Sequence, residues 1–80
     1  MEEIYKKVEN ILLNDFEIEL EKICMDANLR EDIGIDSLDF VDIVVSIERD
    51  FGFKPTTQEL QQLATVSDLC KFISEQGTKN

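Results

Sequence analysis

The chain has 80 residues, 42% hydrophobic and 32% charged, a globular composition with room for one domain, residues 1–80, and no second core. Its 18 acidic and 8 basic side chains give a formal net charge of −10, which disfavours nucleic acid and anionic membrane surfaces as partners and favours basic protein patches. No apolar run reaches the roughly 20 residues of a membrane span, and Met1-Glu2-Glu3-Ile4 lacks the regions of a signal peptide, so no membrane insertion and a cytoplasmic location are expected.

Four segments read as helices, and none sustains the alternation of a strand. Ile4, Val8, Ile11 and Leu12 recur at i, i+4, i+7 and i+8, which predicts a first helix from about Glu2 to Asp15. A long connection follows over 16–35. Its Ile18/Leu20 alternation is too short for a strand, and Leu29, Ile33 and Ile35 are expected to tuck it against the helices. The second helix should run from Ser37 to about Phe51, with Asp36 as N-cap, Asp39 at the positive helix end and Gly52 as the stop. Pro55 separates it from a short helix, for which Thr56-Thr57-Gln58-Glu59 is a capping-box pattern and Leu60 and Leu63 form the apolar face. Thr65-Val66-Ser67-Asp68 opens the last helix, where Val66, Leu69, Cys70 and Ile73 repeat at helical spacing. Gly77-Thr78-Lys79-Asn80 reads as a frayed tail. The predicted fold is all-α, a small four-helix bundle with a long loop between helices 1 and 2 and a short third helix. Cys24 and Cys70 form no metal or redox pattern and are expected to be reduced, Cys70 as a small core residue.

The second helix carries more apolar surface than a core needs. Phe40, Ile43, Val44, Ile47 and Phe51 fall on one side, while Leu38, Val41 and Val45 fall on a second stripe about a third of the way round. Ser37 and Glu48 lie at one edge of this stripe, Asp42 and Arg49 at the other. Two readings of it stand side by side: a partner-docking strip rimmed by charge, or a strip covered by the 16–35 loop. Ser37 itself reads locally either as a helix-capping residue or as a site where a phosphoester would meet unpaired N–H groups and the positive helix end. There is no His, no Ser/His/Asp set and no metal-ligand cluster. Asp32, Gly34 and Asp36 imitate part of a calcium loop, but Ser37 stands where its glycine belongs and Ile43 where its final glutamate belongs.

The run Asp32-Ile33-Gly34-Ile35-Asp36-Ser37-Leu38, continued by the acid-dotted apolar helix Asp39-Phe40-Val41-Asp42-Ile43-Val44, resembles the acyl carrier protein signature. Thr65-Val66-Ser67-Asp68-Leu69 resembles that family's opening of the last helix, so the resemblance spans nearly the whole chain. The resemblance implies a 4′-phosphopantetheine arm, transferred to Ser37 from coenzyme A by a phosphopantetheinyl transferase. Its thiol would carry acyl intermediates of fatty-acid or related lipid and polyketide biosynthesis. It also implies no catalytic or metal-binding residues, a monomer, and docking on basic patches of acyl-activating, condensing and acyl-transfer enzymes. Asp36, Leu38, Asp39, Val41, Asp42, Val45 and Glu48 match the docking positions of that family. Two departures stand out: Phe53-Lys54-Pro55-Thr56-Thr57-Gln58-Glu59 has a lysine and one acid where common fatty-acid carriers resemble Ile-Pro and several acids, and Arg49 interrupts the acidic stretch. A specialised carrier therefore stays open. So do a peptidyl or aminoacyl carrier and an unmodified adaptor, although peptidyl carriers resemble Gly-Gly-x-Ser-Leu and sit inside long chains, whereas this one opens on methionine.

Overall fold

A computed structural model describes residues 2–77. Residues 78–80 of the expected tail lie outside the described residues, and Gly77 belongs to the last helix. The elements are α1 (Glu2–Asn10), a π-helical turn (Ile11–Asp15), a 3-10 turn (Leu20–Lys22), α2 (Ser37–Phe51), α3 (Thr57–Gln61) and α4 (Val66–Gly77). The four expected helices are present, and no strand is among the described residues.

The first helix reaches Asp15 but changes pitch at Ile11. In the wider turn the neighbours Ile11 and Leu12 are both buried, and the Ile18 N–H donates to the Leu12 carbonyl at 3.0 Å, closing the end. A spacing of i, i+4, i+7 and i+8 does not distinguish this turn from a regular one. The core gathers Val8 and Leu12 with Phe40, Ile43, Val44 and Ile47 of α2, Leu60 of α3, and Val66, Leu69, Cys70 and Ile73 of α4. Burial raises the Cys70 thiol above its ordinary pKa, which agrees with a packing residue rather than a reactive one. Cys24 is exposed.

The 16–35 connection is ordered by its own hydrogen bonds. Leu29, Ile33 and Ile35 are buried as expected, and Gly34 between the two isoleucines takes φ 90°, a left-handed value that favours glycine. The Asn28 side chain accepts from the N–H groups of Arg30 and Glu31, both at 2.9 Å, while Asp32 accepts from the Asn28 N–H at 2.8 Å. One feature lies outside the sequence expectations. Asn28 and Thr65 form an isolated antiparallel bridge, flanked by Leu29 N–H to Ala64 O (2.9 Å), Val66 N–H to Ala27 O (3.0 Å) and Ser67 N–H to Met25 O (2.9 Å).

Candidate functional site

Ser37 is the first residue of α2, and what precedes it is fixed. Ile35 is buried and its N–H donates to Leu29 O at 2.8 Å. Asp36 is the N-cap: one carboxylate oxygen accepts from the N–H groups of Leu38 (3.0 Å) and Asp39 (3.1 Å), and Asp39 accepts from the Asp36 N–H at 3.1 Å. This reciprocal box holds the start of the helix. The Ser37 hydroxyl is exposed and makes no hydrogen bond among the described residues. Capping therefore falls to Asp36, and Ser37 is left without that duty.

The same box alters the expected anion site. The N–H groups of Leu38 and Asp39 are taken by Asp36, and that of Phe40 donates to the Asp36 carbonyl at 3.2 Å. A phosphoester on Ser37 would not find these donors free, and two carboxylates already offset the positive helix end. Such a group would sit on the solvent side, held by its covalent bond.

Beyond Ser37 the helix divides cleanly. Phe40, Ile43, Val44 and Ile47 are buried, and Phe51 is half-buried. Leu38, Val41 and Val45 are 78%, 52% and 60% exposed, so the long loop does not cover the second stripe. Asp42 and Glu48 are exposed, with no ion pair or side-chain hydrogen bond among the described residues. Asp36 and Asp39, in contrast, are partly spent on the cap. Arg49 does not break the acidic face as a free cation. It donates to Asp15 (3.1 Å) and to Asp50 (2.9 Å), and its hydrogen bond holds the Asp50 carboxyl below its ordinary range. Asp15 also accepts from the buried Ser46 hydroxyl at 2.7 Å, which ties the π-helical turn to the rear of α2. Sequence reasoning passed over Ser46, because a serine inside an apolar helix gives no signal of its partner.

One turn along from Ser37, the valines at 41, 44 and 45 and the connection from Lys54 to Thr57 enclose a groove of about 370 Å³. Gly52, at φ 82°, ends α2 and turns the chain into this connection, and Pro55 is buried. The capping box of Thr56 and Glu59 then starts α3, with Glu59 N–H to Thr56 Oγ1 at 3.1 Å and Thr56 N–H to Glu59 Oε1 at 2.9 Å. Arg30 braces the other side of Phe40, its guanidinium 5.6 Å from the ring centroid and donating to Gln61 O at 2.6 Å.

Residues 6–73 match the family described as "Phosphopantetheine attachment site". The chain is 40% identical over 72 residues to an acyl carrier protein of Coprothermobacter proteolyticus, covering 90% of this chain and 88% of that one. It is 35% identical over 74 residues to an acyl carrier protein of Thermotoga maritima (92% and 91% covered), and 33% identical over 76 residues to one of Treponema denticola (95% and 97% covered). The group that this family carries is a covalently attached 4′-phosphopantetheine. With its four helices, its long first connection and a match over most of its length, the chain belongs to the acyl carrier proteins of the phosphopantetheine attachment-site family.

Proposed function

We propose that Ser37 is the attachment point and that the 1–80 chain acts as a single carrier domain. The observation that carries this reading is the exposed Ser37 hydroxyl, freed from capping by Asp36 and set at the rigid start of α2. Its surroundings fit a group tethered by one bond: the hydroxyl is open to solvent, an apolar strip begins at the adjacent Leu38, and a groove begins one turn away. When bound, the arm supplies a thiol that holds acyl groups as thioesters. The chain's own part is to fix the anchor, keep the arm accessible and present a docking face. The chain has no His to serve as a base for Ser37, and one Asp36 carboxylate oxygen is committed to the N–H groups of Leu38 and Asp39. Attachment by an external transferase, with the chain serving as a carrier rather than an enzyme, fits this reading.

The docking face comprises Leu38, Val41 and Val45 with Asp36, Asp39, Asp42 and Glu48 around them. An exposed apolar strip rimmed by acids fits basic patches on the transferase and on acyl-activating, condensing and acyl-transfer enzymes, with charge speeding encounter while release stays easy. Among the described residues no helix is long and apolar enough to cross a membrane, which is compatible with a cytoplasmic monomer serving fatty-acid or related biosynthesis. Intact-mass measurement after incubation with coenzyme A and a broad-specificity phosphopantetheinyl transferase tests the reading. A gain of one phosphopantetheine is expected, and it should vanish in Ser37→Ala. Folded wild-type protein that gains no mass would overturn it.

A further inference from the structure

The groove beside α2 has an uneven lining. Its walls are Val41, Val44, Val45 and Pro55, and Lys54 is the one charged residue lining it. Lys54 is exposed and makes no ion pair or hydrogen bond among the described residues, although the chain carries 18 acidic side chains. At about 370 Å³ the groove lies within the size range of small-molecule sites, roughly 300–1,000 Å³, and is small for a protein element. Val41 and Val45 stand about 6 and 12 Å along α2 from Ser37 at 1.5 Å per residue. A flexible arm anchored on Ser37 and folded back along the helix reaches that far. Tethering keeps its terminus at a high local concentration, so that weak contacts suffice for occupancy.

An apolar trough accepts an alkyl chain of either kind, but an unpaired ammonium at its side discriminates by charge. Resting on attachment at Ser37, we propose that Lys54, the one charge at the side of this groove, makes the carrier selective among acyl cargoes that fold back along α2. It favours acyl groups that end in a carboxylate, the half-thioesters of dicarboxylic acids, over neutral acyl groups of the same length. The pairing is solvent-exposed, so the preference is modest, up to about fivefold in groove occupancy.

The test uses the full chain loaded with amide-linked pantetheine analogues bearing adipoyl or hexanoyl groups, with loading confirmed by intact mass. Backbone amide chemical shifts of Val41, Val45 and Thr56 report occupancy. The adipoyl form is expected to show the larger shifts. Lys54→Met should reduce them to the level of the hexanoyl form, which should itself be unchanged, and about 1 M salt should do the same to wild type. Equal shifts for the two cargoes in wild type, or a difference that survives Lys54→Met, would overturn the inference and leave the attachment site standing. Failure of wild type to load overturns attachment at Ser37, and the groove's role with it.

Discussion

Val44 and Val45 are neighbours on α2 with opposite fates: the first is buried, the second 60% exposed. The contrast extends along the helix. One face puts Phe40, Ile43 and Ile47 into the core, while the other leaves Leu38, Val41 and Val45 in water. Burying a side chain of this size is worth about 1.5–3 kcal/mol, so the outer face forgoes a stabilisation comparable to that of the inner one. In an 80-residue domain, whose margin is small, that is a substantial sacrifice. Stability accounts for the inner face. The outer one adds nothing to the core and fits the docking face proposed above.

The sharpest way to break this comparison is to truncate both faces. Phe40→Ala should cost about 3–5 kcal/mol by urea unfolding, enough to leave little folded protein, whereas Leu38→Ala should stay within about 0.5 kcal/mol. Similar losses at the two positions would mean that the faces do not differ in role. Charge reversal probes the outer face alone. Asp42→Lys with Glu48→Lys should slow association with the phosphopantetheinyl transferase by about tenfold at low salt and leave the unfolding midpoint in place. An association rate indifferent to both the substitutions and the salt concentration would remove the electrostatic account of docking. Asp39 is unsuited to this experiment because its carboxylate closes the Asp36 capping box. Asp36 links stability to the proposed site: Asp36→Ala should cost about 1 kcal/mol in thermal unfolding through loss of the cap, and should also lower the transferase rate by loosening Ser37. A rate that falls with no stability change would assign Asp36 to docking alone.

The smallest effect concerns a region away from α2. N–H groups of Ala64 (3.1 Å) and then Thr65 (3.2 Å) donate to the Asp68 carboxylate at the start of α4 and hold it below its ordinary value of 3.8. Because the folded value is the lower one, the stabilisation is complete above the ordinary value and is lost as pH falls through the folded one. Asp68→Asn should therefore be about 0.5 kcal/mol less stable than wild type near neutral pH, and the gap should close in acid. A gap that persists at the lowest pH would point to packing rather than charge.

The helices with strong local punctuation were legible in the sequence. Asp36 and Gly52 bracket α2, and the pairs Thr56/Glu59 and Thr65/Asp68 close the boxes that start α3 and α4. The core face of α2 was legible from its period, and so was the existence of a second stripe. Whether the loop covered that stripe was not, because periodicity fixes directions on a helix and says nothing of what lies opposite. The same limit hid the partners of Ser46 and Arg49, which come from Asp15 at the far end of the first helix. It also hid the pairing of Asn28 with Thr65. The N–H groups of Leu38 and Asp39, which one reading of Ser37 counted as unpaired, were hidden for a different reason: the cap that makes the helix start is the group that consumes them.

That pairing of the long connection with the α3–α4 link has a kinetic consequence. The amide protons of Leu29, Val66 and Ser67 all point across the same seam, between segments far apart in the chain, and residue 35 hangs from Leu29. Exchange with deuterated solvent should therefore report one shared opening event at these amides rather than three local ones. Since the loop leads directly into Ile35 and Asp36, that opening would also release the anchor ahead of Ser37. The proposed attachment residue is thus coupled to a closure made with the α3–α4 link.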